Sequence, residues 1–430
     1  VSNPVQIAGK NEHIFFIALL VLMCSTPFIL GDQPMTLVSA SDSGILPDQG
    51  DSGKQAILAL AYAICAVLLV KHWDAVRSSI SIPVVLLTVW CFLSSLWADL
   101  PDLAMRRGIA MAGTVAVGLY AGARFNTQQL VNMLGHVARI VALISLIVAM
   151  IIPSAGFDPE GRLRGVFAHK NFLGSFMALG ILSLTWSWQS EKNSAEKLLT
   201  VCSIAVCGFC LALTRSAAPV PALCLSLALM LWQTYAPRRK PLLTIAVLAL
   251  VTAAGLTFPL LASGLGALAD LVGRDSDFSG RTQAWLFSME FFSRKAWLGY
   301  GYGTFWSGPA GMLFFRWAHF VVPHAHNGFL QLLLDTGVVG LALFTWALAG
   351  VVIRASRCID TQQDAIAWVN AFLLFFVISN FAESLLWIRN ELLTIIFVCI
   401  CTQMLRVKAE VARSTFESNE NASETQRKYS

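Results

Sequence analysis

The sequence predicts an all-α, polytopic integral membrane protein, and three observations carry that expectation. Of its 430 residues, 56% are hydrophobic and only 13% charged, where a soluble domain carries about a quarter charged. Mean hydropathy is +0.66. Apolar runs of the roughly 17–25 residues that cross a bilayer as helices recur along almost the whole chain.

Twelve such runs are read as helices: Ile14–Leu30, Gln55–Val70, Ile80–Trp97, Gly108–Ala123, Val137–Ile152, Phe172–Trp188, Leu198–Leu213, Ala217–Tyr235, Pro241–Leu261, Gly328–Ile353, Ile366–Asn380 and Leu385–Leu405. The first follows a segment whose only basic residue is Lys10 and lacks a small-x-small cleavage site, so it is expected to be retained rather than cleaved as a signal peptide. An even number of spans puts both termini on one side, and the basic residues Arg406, Lys408 and Arg413 make that side the cytoplasm. Lys71, Arg77, Arg124, Lys192, Lys197, Arg238-Arg239-Lys240, Arg354 and Arg357 then all fall inside.

This order divides the chain into nine helices over 1–261, a large outward loop over 262–327, three helices over 328–405 and a cytoplasmic tail over 406–430, expected to be disordered from about Ser414. Gly31–Lys54 reads as a polar outward loop. Within the large loop, Arg281–Lys295 sets Trp285, Phe287, Met289, Phe291 and Phe292 among polar residues, as an interfacial helix would, with Ser279 able to cap its start. Of the ten cysteines, only Cys358 lies outside the predicted helices, on the cytoplasmic side, so no disulfide framework is expected. Cys207-Gly-Phe-Cys210 has metal-like spacing but sits in an apolar run and reads as packing.

The distribution of charge is where the chemistry shows. About thirteen of the thirty Lys and Arg residues fall on the outward side or near outer helix ends, against the usual confinement of basic residues to the cytoplasm. Arg162, Arg164, His169, Lys170 and Asn171 precede one helix, Arg215 lies between two others, and Arg281, Arg294, Arg316, His319, His324 and His326 occupy the large loop. Arg offers a planar fork of donors matching two phosphate oxygens, so several converging Arg residues suit a diphosphate. For any one of them the plain alternative is snorkelling, or pairing with Asp275, Asp277 or Glu290. Glu383 and Arg389 flank an outward helix end, where pairing with each other is the expected reading, ahead of lining the outward cavity. Asp275-Ser-Asp277 is an isolated acidic pair, so no metal is expected.

Histidine is the natural general base at neutral pH. In Pro323-His-Ala-His-Asn-Gly-Phe-Leu the pair His324 and His326, beside Asn327, immediately precedes an apolar helix, whose positive end disfavours imidazolium and attracts anions. His326 is the expected base and His324 the alternative.

These residues resemble the O-antigen ligase and O-antigen polymerase family of bacterial envelope proteins. The resemblance is carried by Arg164-Gly-Val-Phe-Ala-His-Lys-Asn-Phe-Leu-Gly174, Ser279-Gly-Arg-Thr-Gln-Ala-Trp285, Trp297-Leu-Gly-Tyr-Gly-Tyr-Gly-Thr-Phe305, His324-Ala-His-Asn-Gly-Phe-Leu-Gln and Asp335-Thr-Gly-Val-Val-Gly340. It covers roughly residues 150–345, and the His-Lys-Asn form of the first motif looks most like succinoglycan-type exopolysaccharide polymerases. What it implies is an inner-membrane glycosyltransferase of GT-C-like helical fold, its site facing the periplasm. The implied partners are an undecaprenyl diphosphate-linked glycan donor, a glycan acceptor and the bilayer, with a flippase and a chain-length regulator, and no nucleic acid, cofactor or metal. Carried over by residue, Arg164, Arg215 and Arg281, with Arg162, bind the diphosphate, His326 takes the proton of the attacking hydroxyl, and His169, Lys170, Asn171 and Asn327 support them. Thr214-Arg215-Ser216-Ala217 departs from the family pattern by moving its Arg two positions, about 200° around a helix. A ligase acting on a lipid A core sugar would share this chemistry. A transporter would instead place charges on both sides of the midplane.

Overall fold

The computed structural model describes residues 9–29, 52–191, 193–235, 241–271, 281–319, 322–357 and 363–406. Most of Gly31–Lys54, Lys192, the Arg238–Lys240 cluster, Asp275, Asp277, Ser279, Cys358 and the tail beyond Arg406 lie outside the described residues. Within them the chain is helical, and the one β-type contact is an isolated bridge between Phe157 and Leu163. The helices are α1 (Lys10–Ile29), α2 (Ser52–Lys71), α3 (Trp73–Arg77), α4 (Ile82–Leu93), α5 (Pro101–Arg124), α6 (Thr127–Ile151), α7 (Pro153–Gly156), α8 (Lys170–Ser190), α9 (Ser194–Thr214), α10 (Pro219–Tyr235), α11 (Pro241–Leu271), α12 (Arg281–Arg294), α13 (Pro309–Ala318), α14 (Gly328–Arg357), α15 (Gln363–Ser379) and α16 (Leu392–Arg406).

Among the described residues α6, α9 and α14 are by length and composition able to cross a membrane alone, and shorter apolar helices accompany them. Where each sits follows from which faces are covered. From Ile366 to Val377 and from Leu392 to Met404 every side chain is buried, as expected of helices that are apolar all round and sit inside a bundle. α5 lies against α16 through Gly118 and Gly122, where a Cβ would come within 2.8 Å of the Ile395 carbonyl and 2.5 Å of the Cys399 carbonyl. Small residues let two backbones approach in this way. Phe397 packs between Phe344 and Phe376 with tilted rings at 5.3 and 5.5 Å, joining α16 to α14 and α15. Leu60, Val67, Leu198 and Phe209 instead stay exposed on α2 and α9, forming an apolar exterior suited to lipid.

Three stretches differ from the sequence expectation. The last predicted run is helical only from Leu392, because Trp387 and Asn390 adopt φ values of 54° and 59° that no right-handed helix includes. The irregular chain before α16 is tolerated because protein groups satisfy it. Leu385 N–H donates to Asn380 Oδ1 at 2.8 Å, Arg389 N–H to the Tyr302 hydroxyl at 3.0 Å and Asn390 N–H to Thr114 Oγ1 at 2.9 Å.

The second is α14, which kinks at Gly337 (φ 68°, ψ −170°). The glycine-rich segment after α12 crosses the kink, with Tyr300 N–H donating to Leu334 O at 2.8 Å and Gly301 N–H to Asp335 O at 3.1 Å.

The third is the aromatic face of α12, expected at a membrane interface. Trp285, Phe287 and Phe291 are buried with Tyr300, Phe305, Trp306 and Phe314 in a second hydrophobic core. Rings 4.5 to 5.4 Å apart from Phe287 to Phe291, Phe305 to Trp306 and Trp306 to Phe314 bind this unit together.

Candidate active site

The His324-Ala325-His326 segment is held from both sides through the residue between the histidines. Ala325 N–H donates to Gln331 Oε1 at 2.9 Å, and its carbonyl accepts from Trp285 Nε1 at 2.9 Å. Gln331 is in turn fixed by Trp306 Nε1 at 3.0 Å and by its own amide on Asp335 Oδ1 at 3.0 Å. With this backbone pinned, His326 takes φ 50°, an uncommon conformation for a residue with a side chain. Asn327 caps α14 through the Leu330 N–H at 3.0 Å and reaches the Gly255 carbonyl at 3.3 Å. Gly328 is required because the Asn380 side chain fills the space of a Cβ.

Both histidines face one carboxylate. Glu383 is 3% exposed, and its Oε1 accepts from Asn171 Nδ2 at 2.5 Å and Arg281 Nη2 at 3.1 Å. Its Oε2 lies 3.9 Å from His324 Nε2 and 3.7 Å from His326 Nδ1. Asn171 is oriented by the Ser216 hydroxyl, which donates to its Oδ1 at 2.9 Å. Three helices, α8, α12 and α14, begin around this cluster, so their positive ends add to its affinity for anions.

Burial alone would raise the Glu383 carboxyl, but His326, His324 and Arg281 outweigh it and hold it down to about 2. His324 is pushed to about 3, first by burial and then by His326, His169 and Arg281, against the opposing pull of Glu383. The site therefore holds an ionised carboxylate beside a neutral His324.

Hydrogen-bond partners assign the tautomers. His324 Nδ1 accepts the His326 backbone N–H at 3.2 Å, so its proton is on Nε2, facing Glu383, and neither nitrogen has a lone pair to spare. His326 Nδ1 is buried without a hydrogen-bond partner, and the nearby carboxylate favours the proton there. That leaves the Nε2 lone pair of His326 for an incoming proton, oriented by Glu383 as a base is by its third group. The 3.7 Å separation is longer than a hydrogen bond and can tighten when substrate enters.

The sequence-derived residues separate into two sets. Arg281, His324, His326, His169, Lys170 and Asn171 share the field of Glu383. His169 caps α8 by accepting the Asn171 N–H at 3.2 Å. The others are occupied elsewhere or open. Arg162 pairs with Asp158 at 2.6 Å and with Glu160, and Arg164 donates to the carbonyls of Ala155 and Ser154 at 2.9 and 3.0 Å. Arg215 ends α9 at φ 47° and is exposed; the Leu163 N–H bond to Leu213 O at 3.0 Å keeps the arginine arm beside it. Glu383 pairs with Arg281, not with Arg389 as expected, because the irregular chain before α16 carries Arg389 to Tyr302. Sequence reasoning missed the clamps Trp285 and Gln331 and the central part of Glu383. A Gln in an otherwise apolar helix start, seven residues after His324, was the readable sign.

His324, His326 and Glu383 offer three ligand atoms within 4.8 Å of one another, enough to hold a metal ion geometrically. The same carboxylate already carries the Arg281 guanidinium, whose charge opposes a divalent cation there. The donor set therefore fits a cation poorly.

Comparison with known proteins finds similarity over part of the chain. The family described as O-Antigen ligase matches residues 202–345, which include Arg281, His324 and His326. The exopolysaccharide production protein ExoQ of Rhizobium meliloti (strain 1021) is 26% identical over 295 residues, 64% of this chain and 66% of the relative, so the match spans just under two thirds of that protein. Through these residues the chain is similar to O-antigen ligases and to an exopolysaccharide production protein.

Proposed function

We propose that the protein is a glycosyltransferase that joins undecaprenyl diphosphate-linked oligosaccharide repeats into a polysaccharide at the periplasmic face of the bacterial inner membrane, without a metal. The observation that carries this reading is the Glu383 carboxylate, on which a guanidinium and two imidazoles converge. His326 Nε2 accepts the proton of an acceptor sugar hydroxyl as its oxygen attacks the anomeric carbon of the donor. The bond from that carbon to the diphosphate oxygen breaks, and the diphosphate leaves with the electron pair. In-line attack inverts the anomeric configuration.

Negative charge grows on the leaving group, and fixed cations in a poorly solvated site stabilise it by several kcal/mol. Arg281 is oriented by Glu383 through one nitrogen, which leaves other donors of its fork for the diphosphate. Arg215 extends this surface for the remaining oxygens, and Arg164, with Arg162, joins it only on releasing its local partners. His169, Lys170 and Asn171 hold the rim, and Asn327 holds the start of α14. The relative's name as an exopolysaccharide production protein favours polymerisation over transfer to a lipid A core.

The test is reconstitution. Purified protein given a lipid diphosphate-linked repeat should lengthen it in the presence of a chelator. Loss of activity on chelation that a divalent ion restores defeats the metal-free reaction. In a deletion strain, single repeats left on the carrier support a polymerase, while long unattached chains support a ligase.

A further inference from the structure

A group of polar residues far from Glu383 has no part in the chemistry above. α8 runs from Lys170, beside the Glu383 cluster, to Ser190, a span of roughly 30 Å at 1.5 Å per residue. At that far end α6, α8 and α9 form a cavity of about 590 Å³, within the range of about 300–1,000 Å³ usual for small-molecule sites.

Its wall keeps two opposite charges close without letting them pair. Arg139 donates through Nε to Ser203 Oγ at 3.0 Å and through Nη2 to Thr200 Oγ1 at 2.8 Å. The Thr200 hydroxyl in turn donates to Glu191 Oε1 at 2.7 Å, so a neutral hydroxyl stands between guanidinium and carboxylate. Glu191 Oε2 is buried without a hydrogen-bond partner, which is costly for a carboxylate oxygen. Asn132 Oδ1 accepts from Gln128 Nε2 at 3.1 Å and from Ser187 Oγ at 3.2 Å, which leaves its amide nitrogen as a donor. His136 Nδ1 meets the Asn132 carbonyl at 2.7 Å, so the neutral ring carries its proton there and keeps Nε2 as an acceptor.

The surroundings of the cavity suit a lipid. Along α6 the exposed residues Asn132, His136, Ile140, Leu143 and Ile147 form one stripe at helical spacing, polar before Arg139 and apolar after it. α9, joined to α6 by the Arg139–Ser203 bond, exposes Leu199 and Phe209. A cation, an anion and hydrogen-bonding groups therefore sit at the mouth of an apolar surface, which is how the head and chains of a phospholipid are arranged.

We propose that this cavity binds the headgroup of a phospholipid bearing a primary ammonium, such as phosphatidylethanolamine, in the leaflet opposite the Glu383 cluster. The phosphate takes Arg139 and the Asn132 amide, the ammonium takes Glu191 Oε2 and His136 Nε2, and the acyl chains lie on the apolar faces of α6 and α9. The site stands whether or not the protein transfers sugars.

The experiment is native mass spectrometry of the full chain in detergent, titrated with dioleoyl phospholipids that differ only in the headgroup. Wild type should bind one phosphatidylethanolamine about fivefold or more tighter than phosphatidylcholine, with the mono- and dimethylated forms between them, because each methyl removes a donor. Glu191→Ala should reduce that preference to less than about twofold, and Arg139→Gln should weaken both lipids about tenfold. Equal binding across the methylation series in wild type overturns the site, and that measurement stands even if a variant fails to fold. A preference that survives in Glu191→Ala overturns it as well. Glycerophosphoethanolamine, which has the same headgroup and no acyl chains, should not displace the lipid at equal concentration; displacement overturns the lipid assignment in favour of a soluble ligand.

Discussion

Arg281 and the arm Arg162–Arg164 carry the same kind of side chain, and the fold uses them in opposite ways. Arg281 is fixed on Glu383, 102 residues away in sequence, at 3.1 Å, while Asn171, His324 and His326 meet the same carboxylate. Arg162 and Arg164 find their partners within ten residues, on Asp158, Glu160 and the carbonyls of α7. An arginine held by a distant carboxylate is positioned by the tertiary structure. One satisfied by its neighbours stabilises a local turn first, and must release those partners before it can bind anything else.

The sharpest way to break this contrast is the base. His326→Ala should lower turnover by about 10²–10⁴-fold, while His324→Ala, whose nitrogens are both engaged, should cost less; a reversed order in a chain-elongation assay would move the base to His324. Next is Glu383→Gln, expected to cost about 10²-fold because the amide no longer orients His326 or anchors Arg281. Unaltered rates there would remove the carboxylate from the mechanism. Arg281→Lys should cost about tenfold or more, mainly through donor binding, since an ammonium cannot reproduce the planar fork. Arg162→Gln should change elongation by less than about threefold, because its guanidinium is already held by Asp158 and Glu160; a loss equal to that of Arg281→Lys would erase the distinction between the two regions.

The smallest effect is on stability. The folded His324 is lowered to about 3, so between that value and its ordinary range the unfolded chain binds a proton that the folded chain refuses. Stability then rises with pH across that window and is lost on acidification. Glu383, held down to about 2, acts in the same direction below the usual carboxylate range. Thermal unfolding in detergent should show a falling midpoint as pH drops below about 6.5, and His324→Gln should flatten the slope.

Legibility of the site followed the distance over which its contacts act. His326, Arg281 and Asn171 sit in short motifs whose residue types announce their chemistry. Glu383 looked like a partner for Arg389, six residues on, since sequence proximity is the only proximity a string displays. Trp285 read as an interfacial aromatic and Gln331 only as the end of a motif, although they grip the two sides of Ala325.

The sequence by itself determined the all-helical membrane class, because apolar run length and charge scarcity follow directly from bilayer thickness and the cost of burying charge. It also placed arginine and histidine in the outward motifs. Only the tertiary structure decided that α15 and α16 are the interior helices, that α16 begins after an irregular chain, and which arginine meets the histidines. Apolar helices look alike whether they face lipid or protein, and a buried carboxylate chooses its partners by packing, which no local pattern of residues encodes.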